Sequence, residues 1–383
     1  TWKDRLELHD AHAVFDVTAD VHRLTLDAIS MTMFSYDLST GKRDIPNLLA
    51  KITHSPPDGA ADILLGSLAE KFPAILKLPS SMKQWCDNLR GALGEIAREV
   101  WSGREGIGMH AKLVNALAKE NTPEDVTIAQ IIGIIFAGSE TTANVITVCD
   151  QLVSTIRNTD GAQECLFELA KHPHIQHHLR TELSSFEVAH GRQPTYEDFT
   201  NTSALPYLDA LTRETLRTKA VLTTISRVAV RDDVIPLEFP IKDELSGRVR
   251  HEVEVKAGSL IDIPVRDGIN VNKAIWGPGA EEFSPERWMN PGQLPESVSL
   301  IRAQGHILTF GDGSKVCLGR SFAIGEFKIV VSHLVRNLAF ELDESVELDF
   351  YHVGGNTIKP MVRGREGEGA QMPLIVSLVP VMG

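Results

Sequence analysis

The run from Phe310 to Gly319, FGDGSKVCLG, carries the strongest chemical signal in the chain. Gly311, Gly313 and Gly319 let the backbone approach a flat ligand closely or adopt positive φ. Cys317 stands just before a predicted helix, where peptide N–H groups favour a thiolate. A thiolate in that place can bind iron axially. Phe310 is spaced to pack beside the sulfur, and Lys315 offers a cation to an anionic group of the ligand. Two other readings of the run are a glycine-rich loop with a structural cysteine and a phosphate loop. The residue order is wrong for the latter, which needs GxxxxGK[ST].

Three more clusters precede or flank this loop. Residues 137–142, AGSETT, contain the polar interruption, 139–142, in the first half of the longest apolar helix of the sequence. Ala137 and Gly138 are small enough for a flat ligand to lie against the helix. Glu140 and Thr141 pair a carboxylate with a hydroxyl, a combination suited to relaying protons. The alternative is a polar kink, with Thr141 bonded back to the previous turn. Glu214 and Arg217 are three apart on a predicted helix and share a face; such pairs are also common on exposed helices. Residues 285–288, PERW, supply Arg287, whose planar fork suits bidentate pairing.

In this order and spacing the clusters resemble the cytochrome P450 family, whose cysteine loop reads FxxGx[RK]xCxG. The resemblance covers nearly the whole chain. It implies a mainly α fold with small β-sheets (α+β), one domain over residues 1–383, lacking the family's N-terminal part. It implies haem b (iron protoporphyrin IX), with Cys317 as the iron ligand. Phe310, Gly311, Gly313, Lys315, Gly319, Ala137, Gly138 and Arg227 would surround that group. Glu140 and Thr141 would deliver protons, and Glu214, Arg217 and Arg287 would form a structural cluster. Phe136, Val221, Leu222, Thr223 and Thr224 would contact substrate. The implied reaction inserts one oxygen atom from O₂ into an apolar organic substrate. Electrons would come from NADPH through a separate flavin reductase. The alternatives are a peroxide-using or rearranging haem-thiolate enzyme, and a truncated member unable to hold haem. Residues 205–209, LPYLD, and 232–237, DDVIPL, are similar to fungal microsomal members. That implies an endoplasmic reticulum membrane location, through an anchor in the missing N-terminal part.

Periodicity outlines the elements that must position these residues. Apolar spacing of three to four predicts helices over 17–34, 82–100 and 113–118, then a long buried helix from 127 to about 156. Helices follow at 165–171, 174–185 and, after Pro206, 207–218. The last third predicts strands at 226–234, 249–255 and 259–263, a helix at 321–338, and a terminal strand pair at 346–350 and 374–379. Residues 358–371 are charged and glycine-rich, which predicts a mobile loop. Residues 148–163 stand out as an insertion relative to the family, with a turn signal at 158–161.

Composition narrows the function classes. With 383 residues, 43% hydrophobic and 23% charged, the chain is a folded globular body. A net charge of −13 without a basic face argues against nucleic acid. Four cysteines without a CxxC pair make no disulfide framework and no zinc site. His172, His174, His177 and His178 read as a solvated helix face rather than a metal site. The most apolar run, 131–137, is far short of the roughly 20 residues a bilayer requires.

Overall fold

The computed structural model describes residues 2–7, 12–38, 72–103, 109–118, 122–147, 165–242, 246–290, 292, 294–353 and 357–379, with residues 45, 48, 49, 52, 65 and 68. Helices dominate up to residue 218, as the periodicity predicts. α1 (Trp2–Glu7) and β1 (His12–Asp16) lead into α2 (Val17–Phe34). Asp16 caps α2, accepting from Thr18 N at 3.1 Å. α3 (Ser81–Ser102), capped by Ser80, precedes α4 (Met109–Leu117) and α5 (Glu124–Thr147). Then come α6 (Cys165–Lys171), α7 (Pro173–His190), α8 (Tyr196–Thr200) and α9 (Pro206–Thr218). Proline opens α7 and α9, where its missing N–H costs nothing. The free N–H groups of Tyr207 and Leu208 at the start of α9 donate to Glu182 at 2.6 and 2.9 Å.

The remainder is mixed. β2 (Thr224–Val228) pairs antiparallel with β5 (Leu260–Pro264), and β3 (Asp233–Lys242) with β4 (Val249–Val255). A π-helical turn at Val265–Asn270 and two short helices, α10 (Lys273–Trp276) and α11 (Glu286–Met289), lead to the cysteine loop. α12 (Arg320–Asn337) follows that loop, then β6 (Leu338–Leu342), β7 (Leu348–Val353), β8 (Thr357–Val362) and β9 (Pro373–Leu378). The class is the expected one, mainly helical with small antiparallel sheets.

The terminal strands depart from expectation. β7 and β9 do not pair with each other. β7 pairs with β8, which occupies part of the stretch read as a loop. β9 lies between β1 and β6. A strand of five or six residues must find whichever edge can satisfy its N–H and C=O groups, and that partner is set by the whole fold.

Two apolar cores meet along α5. Ile131, Ile132 and Ile135 belong to one, with Leu26 and Ile29 of α2 and Leu93, Ile96 and Val100 of α3. Ala143, Val145 and Ile146 belong to the other, with α6, α7, α9 and α12. The polar residues 139–142 sit at the junction. By length and composition α5 is also apolar enough to cross a membrane, with a mean hydropathy of 1.3 over its most apolar stretch. The short run 131–137 hid this, because the apolar character resumes beyond the polar break. Here α5 packs against α2, α3 and α12.

Candidate active site

The cysteine loop is held from α9 upward. Glu214 and Arg217 are fully buried and pair twice, Nη2 to Oε1 at 2.7 Å and Nε to Oε2 at 2.8 Å. Arg217 also donates to the carbonyls of Asn270 at 2.9 Å, Ala280 at 2.5 Å and Glu282 at 3.1 Å. Glu214 accepts from Ser284 N at 3.0 Å and Trp288 Nε1 at 2.8 Å, and Arg287 Nε lies 3.5 Å from its Oε1. A buried ion pair is tolerated only when its remaining donors and acceptors are met. Here the segment leading to the loop meets them.

Asn270 carries the connection onward. Its Oδ1 accepts from Leu308 N at 2.8 Å, and its Nδ2 donates to Thr309 Oγ1 at 2.8 Å. Thr309 in turn donates to Leu216 O at 2.5 Å. An unbroken set of bonds therefore runs from Glu214 to the residue before Phe310. Beyond it, Gly311 and Gly313 take φ of 69° and 68°, which side chains would strain. Cys317 N donates to Phe310 O at 2.8 Å and closes the loop.

Cys317, Phe310, Gly311 and Lys315 form one wall of a cavity of about 260 Å³. Thr141, Thr142 and Val145 of α5 form another, and Ala323, Ile324 and Phe327 of α12 a third. Val221, Leu222, Ile225 and Arg227 line it on the approach to and along β2. Among the lining residues the permanent cations are Arg227 and Lys315, and most of the others are apolar.

The family model for Cytochrome P450 matches residues 3–360. The chain belongs to the cytochrome P450 family. It is 32% identical to cytochrome P450 monooxygenase claU and 33% identical to cytochrome P450 monooxygenase claW, both of Ampulloclitocybe clavipes, each over 96% of this chain. It spans 66% of the length of each of these relatives. Cytochrome P450 monooxygenase 128 of Postia placenta is 29% identical over 98% of this chain and 69% of its own length.

Family membership implies a haem-iron cofactor, and the residues present fit one. Cys317 is an exposed thiol on a cavity wall rather than a buried structural cysteine. Two cations suit two carboxylates, and the apolar walls suit a macrocycle. Among the described residues no group of three His, Cys, Asp or Glu side chains competes for a metal. His172 instead pairs with Glu168 at 3.1 Å, and His178 stacks on Tyr207.

The residues singled out from sequence divide by the face they occupy. Thr141 lines the cavity, and its hydroxyl donates back to Ala137 O at 2.6 Å. Ala137, one turn earlier, shares that face and is exposed. Gly138 does not face the cavity. A Cβ there would stand 1.9 Å from Ile29 Cδ1, so Gly138 serves the close approach of α2. Phe136 is likewise not a wall residue; its ring packs edge-on against Trp85 of α3 at 6.1 Å. At 100° per residue, position 136 points about 140° away from 141. Position 138 is only about 60° away, and it is the close packing of Ile29 that turns it from the cavity. Glu140 turns toward α2, 3.1 Å from His22 Nδ1, and is outside the cavity wall.

In the segment into β2, Val221 and Leu222 reach the cavity while Thr223 and Thr224 do not. Thr223 O accepts from Val265 N at 2.8 Å, and Thr224 pairs in register with Pro264. Strand alternation then brings Ile225 and Arg227 to the cavity side. Gly313 shapes the loop without lining the cavity. Gly319 has an ordinary φ of −86° and open space beside it. The insertion at 148–163 lies outside the described residues.

Sequence reasoning missed Asn270, Ile225 and the α12 wall. It also missed Glu326 on α12, which is 7% exposed. Burial pushes its carboxyl up to about 8, and the nearby Thr142 hydroxyl offsets this only in part. Neither of its oxygens has a partner of full hydrogen-bond geometry.

Proposed function

We propose that this chain is the catalytic body of a haem-thiolate monooxygenase. The reaction inserts one atom of O₂ into an apolar small molecule and reduces the other to water. The supporting observation is the placement of Cys317 on an apolar cavity that also holds Thr141, Arg227 and Lys315. Haem b held at Cys317 would supply oxygen activation, which thiolate donation favours. The chain's own residues do the rest. Arg227 and Lys315, both on the cavity wall, would neutralise the carboxylates of that group. Val145, Val221, Leu222 and Phe327 exclude water and hold an apolar substrate. Thr141 holds a proton on the cavity wall, with Glu140 next to it on α5 and turned toward α2. Electrons come from NADPH through a separate flavin reductase. Resemblance to microsomal members supports an endoplasmic reticulum membrane location.

A second reading, a peroxide-using or rearranging enzyme, draws on one observation. Glu140 faces α2, and the Thr141 hydroxyl is engaged with Ala137 O. Turnover with peroxide but not with NADPH and reductase would favour that reading. The deciding test is the visible spectrum of the reduced protein under carbon monoxide. A red-shifted thiolate-type Soret band in the wild type, lost in Cys317→Ala, is the expected result. No haem band in the wild type refutes the proposal for this chain.

A further inference from the structure

We infer that His22 on α2 is the positioning residue for the Glu140 carboxylate, an assignment that rests on the haem-thiolate reading above. His22, Thr25 and Ile29 are spaced three and four apart, so they form one face of α2. They meet Glu140, Ser139 and Gly138 of α5 in reverse order. Ile29 packs where Gly138 has no Cβ. Thr25 Oγ1 donates to Ser139 O at 3.0 Å. His22 Nδ1 lies 3.1 Å from Glu140 Oε2, with the two side chains 11% and 10% exposed.

This contact sets the direction of the acid. A carboxylate removed from water needs charged or hydrogen-bonded partners. α2 provides one at the face that points away from the cavity. His22 Nε2 is buried without a hydrogen-bond partner, so the ring's polar function is spent on Glu140 through Nδ1. Thr141, the next residue, faces the cavity. The Glu140 rotamer, and with it any proton passed on to Thr141, is thus governed from α2. The signal lies in no motif, because His22 and Glu140 are 118 residues apart.

Two substitutions separate positioning from packing. His22→Leu keeps bulk but removes the N–H. His22→Asn returns an amide N–H near the place of Nδ1. The first readout needs no haem: nitrogen-15 NMR of histidine-labelled protein. The wild type should show a slowly exchanging imidazole N–H that is lost in His22→Asn and moved in Glu140→Gln. The second readout is hydrogen peroxide released per NADPH oxidised, with a flavin reductase. His22→Leu should raise it about threefold or more, since a misplaced acid delivers protons poorly. Haem content should not change, and His22→Asn should restore the wild-type ratio. An unprotected N–H, or one indifferent to Glu140→Gln, overturns the contact. An unchanged ratio in His22→Leu, or no rescue by His22→Asn, overturns the positioning role. A wild-type chain that takes up no haem overturns the haem-thiolate reading instead, and the nitrogen signal still decides whether His22 holds Glu140.

Discussion

Replacing Glu326 with glutamine should make the protein more stable at alkaline pH and leave it little changed at pH 5. In the folded chain this carboxyl is pushed from an ordinary 4.5 to about 8, first by burial. The native state therefore keeps a proton that the unfolded state has released between those two values. Stability is fully present below 4.5 and falls as pH rises through 8. The interval of 3.5, at 1.36 kcal/mol for each pH step, sets an upper bound of about 5 kcal/mol. Glutamine has nearly the same shape and never ionises, so Glu326→Gln removes this dependence. Urea unfolding of both proteins at pH 5, 6, 7, 8 and 9 isolates the effect, because other titrating groups cancel in the difference. The variant's advantage should grow by several kcal/mol across that range. Parallel stability profiles would refute the reasoning and mean that Glu326 ionises freely in the folded state.

Three other outcomes follow from the packing. Arg217→Leu strands the fully buried Glu214 and should cost about 3–5 kcal/mol in urea unfolding. Asn270→Ala removes the tie between Arg217 and the cysteine loop; it should cost about 1–3 kcal/mol and lower haem retention in dialysis. Gly138→Ala drives a methyl into Ile29 and should cost about 1–3 kcal/mol, most of it recovered by adding Ile29→Ala, as a double-mutant cycle would read.

The site was legible wherever chemistry demands particular residues at short spacing. The cysteine loop, residues 137–142 and the Glu214–Arg217 pair are local patterns of this kind. Their faces were less legible. Phe136, Ala137, Gly138, Glu140 and Thr141 stand within six positions, yet α5 sends them to α3, the open face, α2 and the cavity wall. A motif fixes residue type but not helical phase, and phase is set by the helices that pack around it. The cavity wall was least legible, because Ile225, Val265 and Phe327 come from separate elements. The same holds for β9, whose partners β1 and β6 lie at opposite ends of the chain.

The polar break in α5 now has a physical account. Ser139 donates to Ile135 O at 2.9 Å and Thr141 to Ala137 O at 2.6 Å. Bonded back along their own helix, these hydroxyls occupy the junction of two apolar cores without an orphaned donor. Carboxyls have no such escape, and two of them flank the cavity residues Thr141 and Thr142. Glu140 faces α2 and meets a basic ring at 3.1 Å. Glu326 approaches Thr142 from α12, meets no base, and keeps its proton up to about 8. Two acids of the same type are thus given different environments on either side of one pair of threonines. Like groups in unlike environments hold their protons differently. The difference depends on α2 and α12, which lie outside the helix that carries the motif.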